Sequence, residues 1–184
     1  MAPLTLYLVR HPRPLIATGV CYGQLDVEAE NPWPVAERLR KELPPGLPVW
    51  SSPLQRCRCL AEALHPAPVL DPRLMELNFG DWEGRPWDSV PRAELDAWAA
   101  DIDGYAPPGG ESPRDLQRRV LACLEEFPTG AHLLITHAGV IRTLIATAAG
   151  ETVADSLRSP APPYGSLTRL TWDDCAKAAA LQSI

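Results

Sequence analysis

A layered α/β domain built on a mostly parallel sheet is what this sequence predicts, and two observations carry that prediction. Short apolar runs alternate with segments of helical periodicity, the order of strands and crossovers that a parallel sheet requires. Two of the runs, Leu4–Val9 and Leu133–Ile135, lead into histidines, in Arg10-His11 and Thr136-His137. In a twisted α/β sheet the carboxyl ends of the strands form the ligand crevice. Both imidazoles are therefore expected in one cleft, although they lie at opposite ends of the chain. A single histidine at a strand end is commonly structural or surface; the pair gains meaning from its companions.

The elements follow in order. Residues 4–9 form the first strand, and a long loop leads to a helix over about 34–42. Pro48-Val49-Trp50-Ser51 is a second strand. It runs into Ser52-Pro53-Leu54-Gln55-Arg56, where Ser52 suits an N-cap and Pro53 the first position of a helix over 53–64. After a short strand near 68–70, Arg73–Gly84 mixes acids, aromatics and glycines without periodicity and reads as a shaped loop. A helix near 91–99 precedes the Pro107-Pro108-Gly109-Gly110 turn. Ser112-Pro113-Arg114-Asp115 then opens a helix with a variant capping box, Asp in place of Glu. Its residues Leu116, Val120, Cys123, Leu124 and Phe127 form one apolar stripe, and Pro128-Thr129-Gly130 stops it. A strand over 131–136 leads to a helix from Ala138 to Ala149, ended by Gly150. Residues 151–165 read as irregular, and a strand over 166–172 closes the sheet. The single domain spans 1–172; residues 173–184 are a loosely attached tail in which Ala176 to Leu181 could add a helical turn.

At 184 residues the chain fits one domain with a full core. Its net charge of −6 offers no nucleic-acid footprint, so an anionic ligand has to be recognised by locally concentrated arginines. No apolar stretch approaches the ~20 residues of a membrane span, and the N-terminus lacks the basic region of a signal peptide. The five cysteines, Cys21, Cys57, Cys59, Cys123 and Cys175, are scattered and read as reduced thiols of a cytoplasmic protein. Cys57 and Cys59 point to different faces of their helix, a poor arrangement for a metal. The prolines gather at connections and signal stiff loops, and no exposed apolar stripe marks an oligomer interface.

Four segments carry a resemblance: Arg10-His11; Ser51-Ser52-Pro53-Leu54-Gln55-Arg56; Leu74-Met75-Glu76 with Phe79-Gly80-Asp81-Trp82-Glu83-Gly84; and Thr136-His137-Ala138-Gly139-Val140-Ile141-Arg142. With them the chain resembles the histidine phosphatase superfamily, the group that contains the cofactor-dependent phosphoglycerate mutases. The segments occur in the family's order from residue 4 to about 150 and are jointly specific. Within that group the chain looks most like the α-ribazole phosphatases of cobalamin synthesis. Its short length, Val20-Cys21-Tyr22-Gly23-Gln24-Leu25-Asp26 and Pro108-Gly109-Gly110-Glu111-Ser112 point that way. The resemblance implies a three-layer α/β fold, a mostly parallel sheet with helices on both faces. It also implies a phosphomonoesterase that works without metal or cofactor on a small-molecule phosphate monoester, α-ribazole 5′-phosphate being the favoured one.

Two positions depart from the family pattern. Arg10-His11 is followed by Pro12-Arg13-Pro14, so position 12 has no amide to donate, and Ala17 stands where the family commonly has Asn. Arg13 is a candidate to compensate electrostatically.

The resemblance assigns roles by position. His11 is the nucleophile that forms a phosphohistidine, its tautomer fixed by a hydrogen bond from the other ring nitrogen to a backbone carbonyl. Arg10, Arg56 and His137, with Ala138, surround the phosphoryl oxygens, His137 contributing most if protonated. Glu76 protonates the leaving alkoxide and later activates water. Tyr22, Gly23, Glu111 and Ser112 are candidates for the substrate side of the cleft, although Ser112 has a full alternative as a helix cap. Glu83 is read as holding its loop through backbone hydrogen bonds, Phe79 and Trp82 as loop or core anchors. His65 and His132 receive no role. The alternatives are a broad-specificity small-molecule phosphatase, a less favoured phosphoglycerate mutase, and a catalytically silent phosphate-ligand binding module, to which Pro12 and Ala17 give some weight.

Overall fold

In the computed structural model, which describes residues 4–172, strand β1 (Leu4–Arg10) alternates its side chains between two cores. Leu4, Leu6 and Leu8 enter one; Tyr7 and Val9 enter the other. The remaining strands are β2 (Val49–Ser51), β3 (Val69–Leu70), β4 (Ala131–Thr136) and β5 (Leu167–Trp172). They form one sheet in the order β3-β2-β4-β1-β5, with β5 alone antiparallel.

Helices α1 (Trp33–Glu42) and α2 (Gln55–Leu64) share a core with Val9, Leu133 and Ile135 on one face. On the other face α4 (Pro113–Leu124) and α5 (Ala138–Ala149) pack over Leu6, Leu8 and Leu134 through Leu116, Val120, Ile141 and Leu144. Each fully buried aliphatic side chain contributes roughly 1.5–3 kcal/mol relative to exposure. The architecture is thus the mostly parallel α/β sheet expected, with helices on both sides. A third cluster gathers Cys21, Trp82 and Val90 with Phe79, Trp87, Trp98 and Tyr105, around α3 (Arg92–Ala100) and the loop before it. No helix among the described residues is long and apolar enough to cross a membrane.

Local chemistry sets most boundaries. Helix α4 opens on the full reciprocal box, the Ser112 hydroxyl accepting from Asp115 N and the Asp115 carboxylate from Ser112 N. Helix α5 ends at Gly150, whose φ of 70° is the left-handed conformation of a C-cap glycine. Three expectations need correction. Helix α2 begins at Gln55, two residues later than read, because Leu54 is extended (ψ 134°) and keeps Ser52-Pro53 outside the helix. Helix α4 ends at Leu124, before the Pro128-Thr129-Gly130 stop, although Phe127 still joins its core. The stretch 151–165 contains a short helix, α6 (Val153–Ser156), opened by a Thr152–Asp155 capping box. Cys175 and the tail 173–184 lie outside the described residues.

Candidate active site

Strand register brings the two histidines together. In the parallel β1–β4 pair Arg10 stands opposite Thr136, so the next residues, His11 and His137, leave the sheet side by side. His11 N donates to Thr136 O (3.1 Å), continuing the ladder one step past the strand. The ring centroids are 5.1 Å apart, with the planes tilted by 58°. His11 Nδ1–H donates to the Pro12 carbonyl (2.7 Å), which leaves Nε2 as the unprotonated ring nitrogen. Proline at position 12 removes an amide but supplies this carbonyl.

Strand β2 lies beside β4 with Ser51 opposite Ile135, and this sets the third corner. Arg56, in the first turn of α2, is almost fully buried and reaches back across the strand ends. Its Nε donates to His137 Nδ1 (3.3 Å), while Nη1 and Nη2 donate to the carbonyls of Leu25 (2.8 Å) and Gly23 (2.5 Å). The guanidinium is therefore held by the first loop's backbone. With Nδ1 accepting, His137 Nε2–H donates to Ser52 Oγ (2.8 Å), and Cys57 Sγ lies 3.4 Å from Nε2. Ser52 and Cys57 went unrecognised as neighbours of His137; a misplaced helix start hid the first.

Glu76 comes from the shaped loop and meets the start of α5. Its Oε2 accepts from Gly139 N (3.1 Å) and its Oε1 from Leu77 N (2.9 Å). A Cβ at position 139 would fall 2.1 Å from Glu76 Oε1, so glycine is needed there for the carboxylate to approach. Three donors fix the loop: Thr136 Oγ1 to Leu74 O (2.7 Å), Gln24 Nε2 to Glu76 O (3.0 Å), and Arg119 Nη2 to Glu76 O (2.9 Å). Glu83 holds the facing loops as expected, accepting from Gln24 N (2.7 Å), Phe79 N (2.9 Å) and Leu25 N.

Glu111 and Ser112 are not brought to the cleft side of this arrangement. The Glu111 carboxylate pairs with Arg119 (2.6 Å) and accepts from Asn78 N (3.0 Å), so it buttresses the Glu76 loop from behind. Ser112 is consumed by its capping box. Tyr22 and Gly23 do stand at the site, Gly23 through its carbonyl and Tyr22 with its ring 5.4 Å from the Arg56 guanidinium carbon. Ala138 is the first residue of α5, directly after His137.

Tyr164 gave no sequence signal. Its ring lies 3.8 Å from the Arg10 guanidinium carbon and 5.6 Å from the His11 ring, and its hydroxyl meets that of Tyr22 (3.0 Å). Arg10 Nη1 donates to Pro162 O (2.6 Å), while its buried Nε has no partner among the described residues. Arg142 ties the same segment down through the carbonyls of Ser156 (2.5 Å) and Ser159 (2.8 Å). Arg13 is exposed, faces Glu30 at 3.9 Å and lies 5.7 Å from the Tyr164 ring.

Electrostatics keep both imidazoles neutral. Burial first, then the Arg56 charge, lower His11 from 6.5 to about 3, against the opposing pull of the Pro12 hydrogen bond. The same two causes hold His137 well below its ordinary range. His137 therefore stands neutral beside Arg56 rather than as the cation considered from sequence; only added negative charge would favour its protonation. Among the described residues no cluster of three His, Cys, Asp or Glu is placed to hold a metal, and Cys21, Cys57, Cys59 and Cys123 are free thiols.

Similarity to known proteins follows the same outline. A probable phosphoglycerate mutase GpmB of Yersinia pestis is 34% identical over 166 residues, 80% of this chain and 75% of that protein. A crystal structure of a phosphoglycerate mutase from Thermus thermophilus superposes with a TM-score of 0.73 at 35% identity, covering 90% of this chain and 92% of the other. A mycobacterial glucosyl-3-phosphoglycerate phosphatase does so with a TM-score of 0.77 at 28% identity, covering 91% and 89%. The model of the histidine phosphatase superfamily (branch 1) matches residues 6–183, and the chain belongs to that superfamily.

Proposed function

We propose that the protein is a phosphomonoesterase that transfers the phosphoryl group to His11 and then to water, with α-ribazole 5′-phosphate of cobalamin synthesis as its favoured substrate. The observation that carries the chemistry is the neutral His11 ring, tied through Nδ1 to Pro12 O and facing His137 at 5.1 Å. In the first step the Nε2 lone pair bonds to phosphorus as the bond to the leaving oxygen breaks, and Glu76 gives that oxygen a proton. In the second, Glu76 takes a proton from water, the hydroxide bonds to phosphorus, and the P–N electron pair returns to Nε2. Two displacements replace one difficult one. Arg10, whose Nε has no partner among the described residues, and the fixed charge of Arg56 stabilise the transferring oxygens. His137 gains a proton-donating role once the dianion is present. The steps draw on the chain's own side chains, and turnover is expected to survive a strong chelator. The four cysteines among the described residues are free thiols, which fits a reducing cytoplasm.

Incubation with ³²P-labelled substrate followed by an alkaline denaturing quench, which preserves the acid-labile phosphohistidine, is the test. Wild type should carry label and release inorganic phosphate, and His11→Ala should lose both, with turnover down on the order of 10⁴-fold or more. Label that returns to an acceptor alcohol instead of water would make the chain a mutase, the reading favoured by the names of its Yersinia and Thermus relatives. No label at all would make it a phosphate-ligand binding module. Comparable rates on α-ribazole 5′-phosphate, nucleotide monophosphates and 3-phosphoglycerate would retire the cobalamin substrate in favour of a broad-specificity phosphatase.

A further inference from the structure

Ser52 stands one residue past the end of β2, and its amide donates to Ile135 O (3.0 Å), extending the β2–β4 ladder beyond the strand. The side chain is fully buried. Pro53 has no amide, so the next one along the chain, Leu54 N, reaches back to Ser52 Oγ (3.3 Å). These two bonds fix the hydroxyl against the His137 ring, where Oγ lies 2.8 Å from Nε2. Among the described residues it is the one oxygen bonded to that nitrogen. Cys57 Sγ lies 3.4 Å from Nε2 and 3.9 Å from Nδ1, but its thiol donates to Thr136 O (3.5 Å) and sulfur is a weak acceptor.

The hydrogens of this corner run one way. A guanidinium can only donate, so the bond from Arg56 Nε (3.3 Å) requires an unprotonated His137 Nδ1. The neutral ring then carries its hydrogen on Nε2, and Ser52 Oγ accepts it. Arg56 thereby chooses the tautomer, and Ser52 aims it.

We propose, resting on the phosphoryl-transfer chemistry assigned to His11, that Ser52 is a positioning residue for His137: it keeps the Nε2–H aligned in the resting site until a phosphoryl oxygen replaces it as acceptor. Without Ser52 the buried N–H would lose its partner, a desolvation left uncompensated, and the ring would be free to turn away. With Ser52 the donor is aimed before the anion arrives, so binding and reaction require no reorganisation of it. Serine suits the task because its oxygen accepts from Leu54 N and from the imidazole at once.

The nitrogen spectrum of His137 and a double-mutant cycle test this. In ¹⁵N-histidine-labelled protein without ligand, His137 should show a protonated Nε2 and an unprotonated Nδ1. Inorganic phosphate should then shift the Nε2–H resonance as its acceptor changes. Ser52→Ala should lower kcat about 10- to 100-fold, with the affinity for inorganic phosphate changed by no more than about threefold. In a His137→Ala background the same substitution should cost at most about twofold, because the ring through which Ser52 acts is gone. An unchanged kcat in Ser52→Ala, an equal loss in both backgrounds, or a protonated Nδ1 in wild type overturns the proposal. If Ser52→Ala does not fold, the wild-type spectrum decides, and an Nε2–H resonance unmoved by phosphate overturns it. Failure of the histidine chemistry is read separately, as missing label on His11 with the His137 spectrum as expected.

Discussion

His11 and Trp87 are held in place by different means. The histidine corner is a consequence of register: Arg10 opposite Thr136 and Ser51 opposite Ile135 deliver His11, His137 and Ser52 to adjacent strand ends. Backbone atoms then fasten the side chains, Pro12 O for His11 and the Gly23 and Leu25 carbonyls for Arg56. The aromatic side has no sheet beneath it. It is a cluster of loop residues packed on one another, with Trp87 positioned by Phe79, Trp82 and Trp98. The proposed chemistry thus sits where geometry is imposed by the fold, beside loops that can be rewritten without disturbing it.

Glu76 joins the two halves, so its removal offers the sharpest test. Glu76→Gln should cut kcat on alkyl phosphates by about 10²–10⁴-fold, and much less on p-nitrophenyl phosphate, whose leaving group needs no proton. An equal loss on both substrates would show that Glu76 does not serve as the acid. Arg119→Met should come next, lowering kcat about 10²-fold with little change in phosphate affinity, because it releases the carbonyls of Arg73 (2.7 Å) and Glu76 (2.9 Å) that set the carboxylate's position. A change confined to KM would break the link between that buttress and the acid.

Acid should unfold the corner rather than the aromatic side. His11 titrates at about 3 when folded and near 6.5 when unfolded, so the unfolded chain binds the extra proton between those values. Stability then rises with pH across that window and is lost on acidification, by up to about 1.4 kcal/mol per pH unit, with His137 acting in the same direction. Urea midpoints from pH 7 down to 4 should show this slope, and His137→Gln should flatten it; an unchanged slope contradicts the burial argument. The smallest effect belongs to Tyr164, a loop residue that touches the corner. Tyr164→Ala should weaken inorganic phosphate binding several-fold by freeing Arg10, whereas Tyr164→Phe, which keeps the stacked ring, should leave it within about twofold.

Legibility in the sequence follows the same division. Strand β4 and helix α5 could be read to the residue, since an apolar run, a helical stripe and Gly150 punctuate them. The histidine pair could be read because strand ends converge in any parallel sheet. The start of α2 was hidden because Ser52-Pro53 carries the local chemistry of a helix entrance, while tertiary contact holds Ser52 against His137 instead. Helix α6 had a Thr152–Asp155 signal that its brevity masked. Glu111 is a cleft candidate by resemblance, yet its partner Arg119 stands about two helical turns further along on α4 and turns it inward. Tyr164 has no local pattern at all: its partners Arg10, His11 and Tyr22 are supplied by the opposite end of the chain.

The bond from His11 to Pro12 O has a further consequence. Many histidines are oriented by a neighbouring carboxylate, which a single base change in the gene can delete. Here the anchor is a main-chain oxygen, present whatever residue occupies position 12. Point mutation cannot erase that anchor; only an insertion, a deletion or a rerouted loop could. The most exacting alignment in the molecule is thereby sheltered from ordinary genetic drift.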